Sequence, residues 1–325
     1  MARRALVSGA SGFVGANLAR RLLADGHEVH LVLRPHHKPW RLDDIAQDVQ
    51  VHKVDLTDRD GVDRAVAGAK PDWVFHLAAH GAYPTQKDLD QMIETNVRGT
   101  ANLVAAAVHA GVNAFVNAGT SSEYGYKDHA PAEDEWLEPN SDYAVTKAAA
   151  TMFCRHTAQR TGLPITTLRL YSVYGPFEEP ARLVPTLIVQ GMEARLPTLV
   201  NPDIARDYIY VDDACDAFVL AAATDKQDPG VVYNIGSGVQ TTLLEIVEST
   251  RRILGVKAEP QWGSMEQRSW DTNVWVSNPS KFRSRFGWTP SCDLESGLRK
   301  TVEWFRLHPD RRSLYRAAQA SPARM

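Results

Sequence analysis

Cysteine is scarce in this 325-residue chain, and its placement leaves it little to do. Cys154, Cys215 and Cys292 lie far apart, with no CxxC spacing and no histidine-rich neighbour. An odd, scattered set argues against a disulfide frame and a zinc site and reads as reduced, buried thiols, so no metal is expected. A surplus of charge is also missing: 36 Lys and Arg stand against 39 Asp and Glu, a net charge of −3. That balance offers no bulk basic field for nucleic acid or a membrane surface. Nor does any stretch reach membrane-spanning length, and Met1-Ala2-Arg3-Arg4 runs straight into Ala5-Leu6-Val7 without a signal-type apolar region. Repeats and low-complexity tracts are absent too. The expectation is a cytoplasmic protein, ordinary in its 44% hydrophobic and 23% charged content and long enough for one large or two modest cores.

What is present is alternation. Ala5-Leu6-Val7 reads as a strand, and Phe13 to Asp25 as a helix with Val14, Leu18 and Leu22 on one face and Gly26 as its stop. Strands follow at Val29 to Leu33, Val51 to Val54, Trp73 to Leu77 and Ala114 to Asn117, with a helix from Asp88 to Ala110 before the last. Ser141 or Asp142 caps a helix through Thr161, closed by Gly162, before the strand Ile165 to Leu170. Near-continuous apolar strands alternating with helices predict an α/β fold, a parallel sheet covered on both faces. After Gly175-Pro176 the pattern loosens into a smaller, lid-like unit. We divide the chain at 1–172 and 173–325, with segments near 205–236 returning to the first unit. Strands are expected at Tyr208 to Val211 and Val231 to Asn234, and helices at Asp212 to Ala223 and Thr242 to Leu254. The Arg- and Ala-rich tail after His308 reads as a surface helix or frayed end.

Two motifs carry the chemistry. Gly9-x-x-Gly12-x-x-Gly15 falls between the first strand and the first helix, where glycines let a backbone approach a pyrophosphate at a helix N-terminus. The motif predicts a dinucleotide site. An acid at the end of the second strand would hold the ribose 2′-hydroxyl of NAD, whereas Arg34 stands there, followed by His36, His37, Lys38 and Arg41. That choice favours NADP(H), with NAD(H) as the alternative. Asp55-Leu56 is placed to meet the adenine, and Leu77-Ala78-Ala79 lets the backbone pass close to the cofactor; His76 reads as a packed core histidine. Further on, Tyr143 and Lys147 share one helix face at i and i+4. A phenol with a pKa near 10 is a poor acid–base at neutral pH, and a nearby ammonium would lower it. Tyr143 could then exchange a proton with an alcohol or ketone while hydride moves, Thr120 fixing the same oxygen and Lys147 binding the nicotinamide ribose.

In this order, these residues resemble the extended short-chain dehydrogenase/reductases of the NAD-dependent epimerase/dehydratase family. The resemblance is carried by Gly9-Ala10-Ser11-Gly12-Phe13-Val14-Gly15, His76 to Ala79, Asn96-Val97-Arg98-Gly99-Thr100, Thr120 to Gly125, Tyr143 to Lys147, Leu168 to Pro176 and Arg206 to Asp213. It implies a Rossmann doubly wound parallel sheet with a smaller C-terminal α/β substrate-binding domain. It also implies a homodimer formed through a four-helix bundle, and a nucleoside-diphosphate sugar as substrate. Carried over by position, Thr120, Tyr143 and Lys147 are the catalytic set. Asn96 and Tyr171 join Ser11, Phe13 and Val14 on the cofactor side. Ser121, Ser172, Arg206 and Arg268 fall on the substrate side, Arg206 against the diphosphate.

Three departures narrow the reading. The family's 4,6-dehydratases carry a Glu directly after the catalytic threonine, where this chain has Ser121-Ser122 and a late Glu123. Ser172 replaces a common Asn, and Arg34 replaces the acid of the NAD-retaining epimerases. The sequence therefore predicts an NADPH-dependent reductase of a nucleoside-diphosphate 4-keto sugar. A 4-epimerase with tightly bound NAD(P)+ is the alternative, and a non-catalytic dinucleotide sensor is the rival of another class. The choice of sugar rests on the loops His80 to Pro84 and Arg182 to Gln190.

Overall fold

A computed structural model describes residues 2–83, 85–224, 228–264 and 272–320. Seven parallel strands form the central sheet: β1 (Arg4–Ser8), β2 (Glu28–Leu33), β3 (Gln50–Lys53), β4 (Trp73–His76), β5 (Ala114–Thr120), β6 (Ile165–Leu170) and, after a long excursion, the strand Val231–Ile235. Two more strands, β7 (Ser172–Tyr174) and β8 (Ala205–Tyr210), precede that last one, which is therefore β9. The order across the sheet is β3-β2-β1-β4-β5-β6-β9. The chain reverses direction of travel after β3, so β1 and β4 lie side by side. Ligands of open α/β sheets bind at such a switch point, beyond the carboxyl ends of the strands.

Side chains alternate between two cores, one on each face of the sheet. Ala5, Val7, Phe75 and Val116 meet helices α1 (Phe13–Ala24) and, later in the chain, Val211–Ala223. Leu6, Val74, Phe115 and Ile165 meet α2 (Arg59–Ala69), α4 (Gly99–Ala110) and α5 (Asp142–Thr161). The predicted helix from Asp88 to Ala110 is composite: α3 (Leu89–Met92), a π-helical turn (Ile93–Arg98) and α4 follow without a break. Ser141 caps α5 by accepting from the Ala144 N–H at 3.2 Å, and Gly162 ends it at φ +76°.

A second sheet of three strands has the order β10-β8-β7, where β10 is Gln240–Thr242. Around it lie α6 (Leu183–Gly191), α7 (Val211–Ala223), α8 (Leu243–Leu254), α9 (Ser280–Phe286), α10 (Leu294–Leu307) and α11 (Pro309–Ala320). Within residues 205–236, β9 joins the large sheet and α7 covers its face, while β8 belongs to the small sheet. The same buried cluster runs on from α1 and α7 through Leu187, Ile246, Leu298 and Phe305. The C-terminal tail forms α11, a mostly exposed surface helix as expected, but one residue anchors it. Tyr315 of α11 is fully buried against Trp40 and Phe305, and its hydroxyl donates to the Glu178 carbonyl. A single aromatic among arginines and alanines carries that packing, which is why composition concealed it. Among the described residues no helix is long and apolar enough to cross a membrane.

Candidate active site

The glycine turn is tight enough to require glycine. At Gly9, φ is +76° and a Cβ would lie 2.4 Å from the Ala78 nitrogen and the Leu77 carbonyl carbon. At Gly15 a Cβ would lie 2.4 Å from the Gly9 oxygen. Gly12 donates to the Gly9 carbonyl at 2.9 Å and serves as the N-cap of α1 without a side-chain cap. The first-turn N–H groups of α1 therefore point, unspent on any capping side chain, at the half-buried surface of Ser11, Gly12, Phe13 and Val14. Both the close approach and the helix dipole suit the pyrophosphate of a dinucleotide.

The neighbouring strand ends fill in the rest of this edge. Arg34 follows β2 and is exposed. Arg41, expected in the same basic loop, is instead 7% exposed and fully engaged: it donates to the carbonyls of Phe177 (2.8 Å) and Ser11 (3.3 Å) and pairs with Glu179 (2.9 Å). Asp55 accepts from the N–H and hydroxyl of Thr57 at 3.0 and 2.8 Å, and Leu56 is buried. Leu77, Ala78 and Ala79 are half-buried beyond β4. His76 is packed as expected, between the Ser8 and Thr100 hydroxyls at 2.7 and 2.8 Å, and burial pushes its pKa down to about 3. Asn96, in the π-helical turn, is fully buried, with its amide spent on both the N–H and carbonyl of His80 (2.8 Å each) and on the Thr146 hydroxyl (2.9 Å). It braces the β4 loop against α5.

Thr120 closes β5, and Tyr143 and Lys147 stand on the first turns of α5. Thr120 is the neighbour that most favours the ionised form of the Tyr143 phenol. Thr120 also caps a 3-10 turn, Ser121–Tyr124, in which Glu123 reaches back to the Thr120 N–H at 2.9 Å. Lys147 is 3% exposed; burial lowers its pKa, and the Glu123 carboxylate works against that shift. Tyr143 is half-buried, and the expected lowering of its phenol is not found. Burial pushes the phenol up to about 12, with Thr120 opposing it. Desolvation outweighs the neighbours here, because it penalises the phenolate directly.

On the other side, Ser121 accepts from the Trp275 indole N–H at 3.1 Å. The Arg206 guanidinium stands 5.4 Å from the Trp275 ring and donates to the Ala205 carbonyl at 2.7 Å. Ser172 lies half-buried in β7, opposite Tyr208. Tyr171 is buried, which raises its pKa, and Arg268 lies outside the described residues. Tyr83 and Arg182, 6.0 Å apart, both act on the Tyr143 phenol. Trp275 was not anticipated: no motif surrounds it, and only the fold brings it to Ser121.

A dinucleotide cradle at the end of the first strand and a threonine–tyrosine–lysine set beside it define an enzyme of the extended short-chain dehydrogenase/reductase type. The chain belongs to the NAD dependent epimerase/dehydratase family, whose model matches residues 5–236. A UDP-glucose 4-epimerase of Mycolicibacterium smegmatis is 32% identical, the match covering 93% of this chain and 98% of the relative. A dTDP-glucose 4,6-dehydratase of Streptomyces griseus is 31% identical over 95% of each chain. Among solved structures, a UDP-glucuronic acid 4-epimerase from Bacillus cereus, in complex with UDP-glucuronic acid and NAD, superposes with a TM-score of 0.83 at 28% identity, over 93% of this chain and 99% of that one.

Proposed function

We propose that the protein is a nucleotide-sugar 4-epimerase that retains its dinucleotide and acts on a UDP-linked sugar. One observation carries this reading: among the described residues, Tyr143 is the one acid–base beside Thr120, and no carboxylate there is placed to expel water. Ser121 and Ser122 fill the positions where a dehydratase has its acid, and both oxygens of Glu123 are spent on protein donors. The two long-matching 4-epimerases support it.

In this reading residues 1–172, with β9, hold the dinucleotide, and most of 173–325 holds the sugar nucleotide. Gly9, Ser11, Gly12, Phe13, Val14 and Gly15 cradle the pyrophosphate against α1; Asp55 and Leu56 flank the adenine; Leu77, Ala78, Ala79 and Tyr171 line the nicotinamide side. Asn96 acts through the His80 backbone. The bound dinucleotide supplies a hydride acceptor and donor, so a sugar carbinol can be oxidised and reduced again. Tyr143 takes the hydroxyl proton and gives it back, Thr120 orients that oxygen, and Lys147 holds the ribose and favours the phenolate. Arg206 meets the diphosphate, with Ser121 and Ser172 nearer the sugar.

Arg34 favours a second reading, the NADPH-dependent 4-keto-sugar reductase, because a cation suits a 2′-phosphate. The test is to denature purified protein, identify the released nucleotide by mass, and titrate emptied protein with NADH and NADPH. Stoichiometric NAD, with interconversion of UDP-glucose and UDP-galactose by NMR, is the expected result. Empty protein that prefers NADPH would overturn it in favour of the reductase. Tyr143→Phe should abolish turnover while sparing nucleotide binding; unchanged turnover would sink Tyr143 as the acid–base, and nucleotide binding with no turnover by the wild type would favour the sensor.

A further inference from the structure

Glu123 is fully buried and has three partners of two kinds. Oε1 accepts from the Thr120 N–H at 2.9 Å and from the Thr151 hydroxyl at 3.1 Å, and Oε2 accepts from Arg169 Nε at 2.9 Å. Arg169, 3% exposed, continues to the Tyr124 hydroxyl at 2.8 Å, and that hydroxyl donates to Asn234 at 2.7 Å. The frame thus runs from β5 across β6 to β9. Gly119 makes room for it, since a Cβ there would lie 2.8 Å from Glu123 Oε1.

We propose that Glu123 and Arg169 are a positioning pair: they fix Thr120, and they leave the positive charge of Lys147 in surplus beside Tyr143. The proposal rests on Tyr143 being the acid–base. Two buried cations facing one carboxylate leave one net positive charge. Arg169 holds that carboxylate by direct contact, so Lys147 is not neutralised by it. Cys154 and His76 also interact electrostatically with Lys147, and Thr120, Glu123, Tyr83 and Arg182 act on Tyr143, which shares one face of α5 with Lys147 a turn further on. Glu123 is the carboxylate common to both, and its charge raises the pKa of each.

The pair makes a prediction with two opposite signs. In NAD-loaded protein turning over UDP-glucose, the acid limb of the pH profile of kcat/KM follows ionisation of Tyr143. Glu123→Gln keeps the oxygen that accepts from Thr120 but removes the charge, and should move this limb down by about one pH unit. Arg169→Met releases the full carboxylate charge and should move it up by a similar amount. The double variant removes both members of the buried ion pair and leaves the Lys147 charge as it is in the wild type, so it should fold and return near the wild-type profile. If the limbs stay in place while kcat or stability falls, the pair is structural only and the proposal fails. If UDP-glucose is not turned over, phenolate absorbance near 295 nm, as the difference between each protein and its Tyr143→Phe form, gives the same comparison. Opposite shifts there uphold the pair even where the epimerase reading has failed, and the absence of opposite shifts overturns it.

Discussion

At the residue scale the chain keeps polar groups in dry places and meets their cost with specific partners; among the described residues Asn117, Thr157, Glu178 and Arg251 each keep one buried side-chain atom without a hydrogen-bond partner, and Glu178 is the carboxylate among them. Glu178 is 6% exposed, one carboxyl oxygen is buried without a hydrogen-bond partner, and burial pushes its pKa up to about 8 despite Arg182, the Gly175 N–H and Arg41. The unfolded chain loses this proton near pH 4.5 and the folded one near 8. Below 4.5 both states are protonated and the group is neutral to stability. Between these values the unfolded state binds fewer protons, so stability falls as pH rises and levels off above 8. Glu178→Gln should therefore raise Tm at pH 8.5 by a few degrees and change it little at pH 4.5, read by scanning calorimetry. An equal effect at both pH values would show that ionisation is not the cause. Residue types at fixed spacing were legible without a structure: Gly9, Gly15, Thr120, Tyr143 and Lys147 each sit where their motif placed them. The direction of the Tyr143 shift was not legible, because it depends on how much water the surrounding elements exclude.

At the scale of elements, long periodic segments such as α1, α5 and β6 could be read directly, since a stripe or run of apolar residues states its own period. Short ones could not. The three-residue strands β7 and β10 are strands only because β8 lies between them. The π-helical turn was equally hidden, although it is what brings Asn96 under His80. Helix α11 was expected, but its anchor was hidden: Tyr315 makes edge contacts with Trp40, Trp304 and Phe305. Tyr315→Ala should cost about 3 kcal/mol by urea denaturation, in the range for deleting a buried aromatic. A loss below about 1 kcal/mol would mean that α11 is only laid on the surface.

At the scale of the molecule, one face remains uncovered. Val145, Met152 and Phe153 of α5, at a spacing of seven and eight residues, are 51, 59 and 37% exposed, and Leu89 and Ile93 beside them are 45 and 42% exposed. A contiguous apolar face of this kind suits self-association, in keeping with the homodimer that the family resemblance implies. Met152→Asp should convert a dimer to a monomer in sedimentation velocity at micromolar concentration; a variant that sediments like the wild type would place the contact elsewhere.

The Arg41 side chain described above has a kinetic meaning. It grips the nucleotide turn at Ser11 and, 136 positions away in the chain, the segment at Phe177, which Tyr315 secures from behind through Glu178. Asn17 of α1 donates to the Pro176 carbonyl at 2.9 Å and adds a second tie between the same two segments. A nucleotide lying in the turn would then leave only as fast as these ties let go together. Its residence time would be governed from the far end of the chain, where a small loosening of the last helix could turn a permanently loaded protein into one that exchanges.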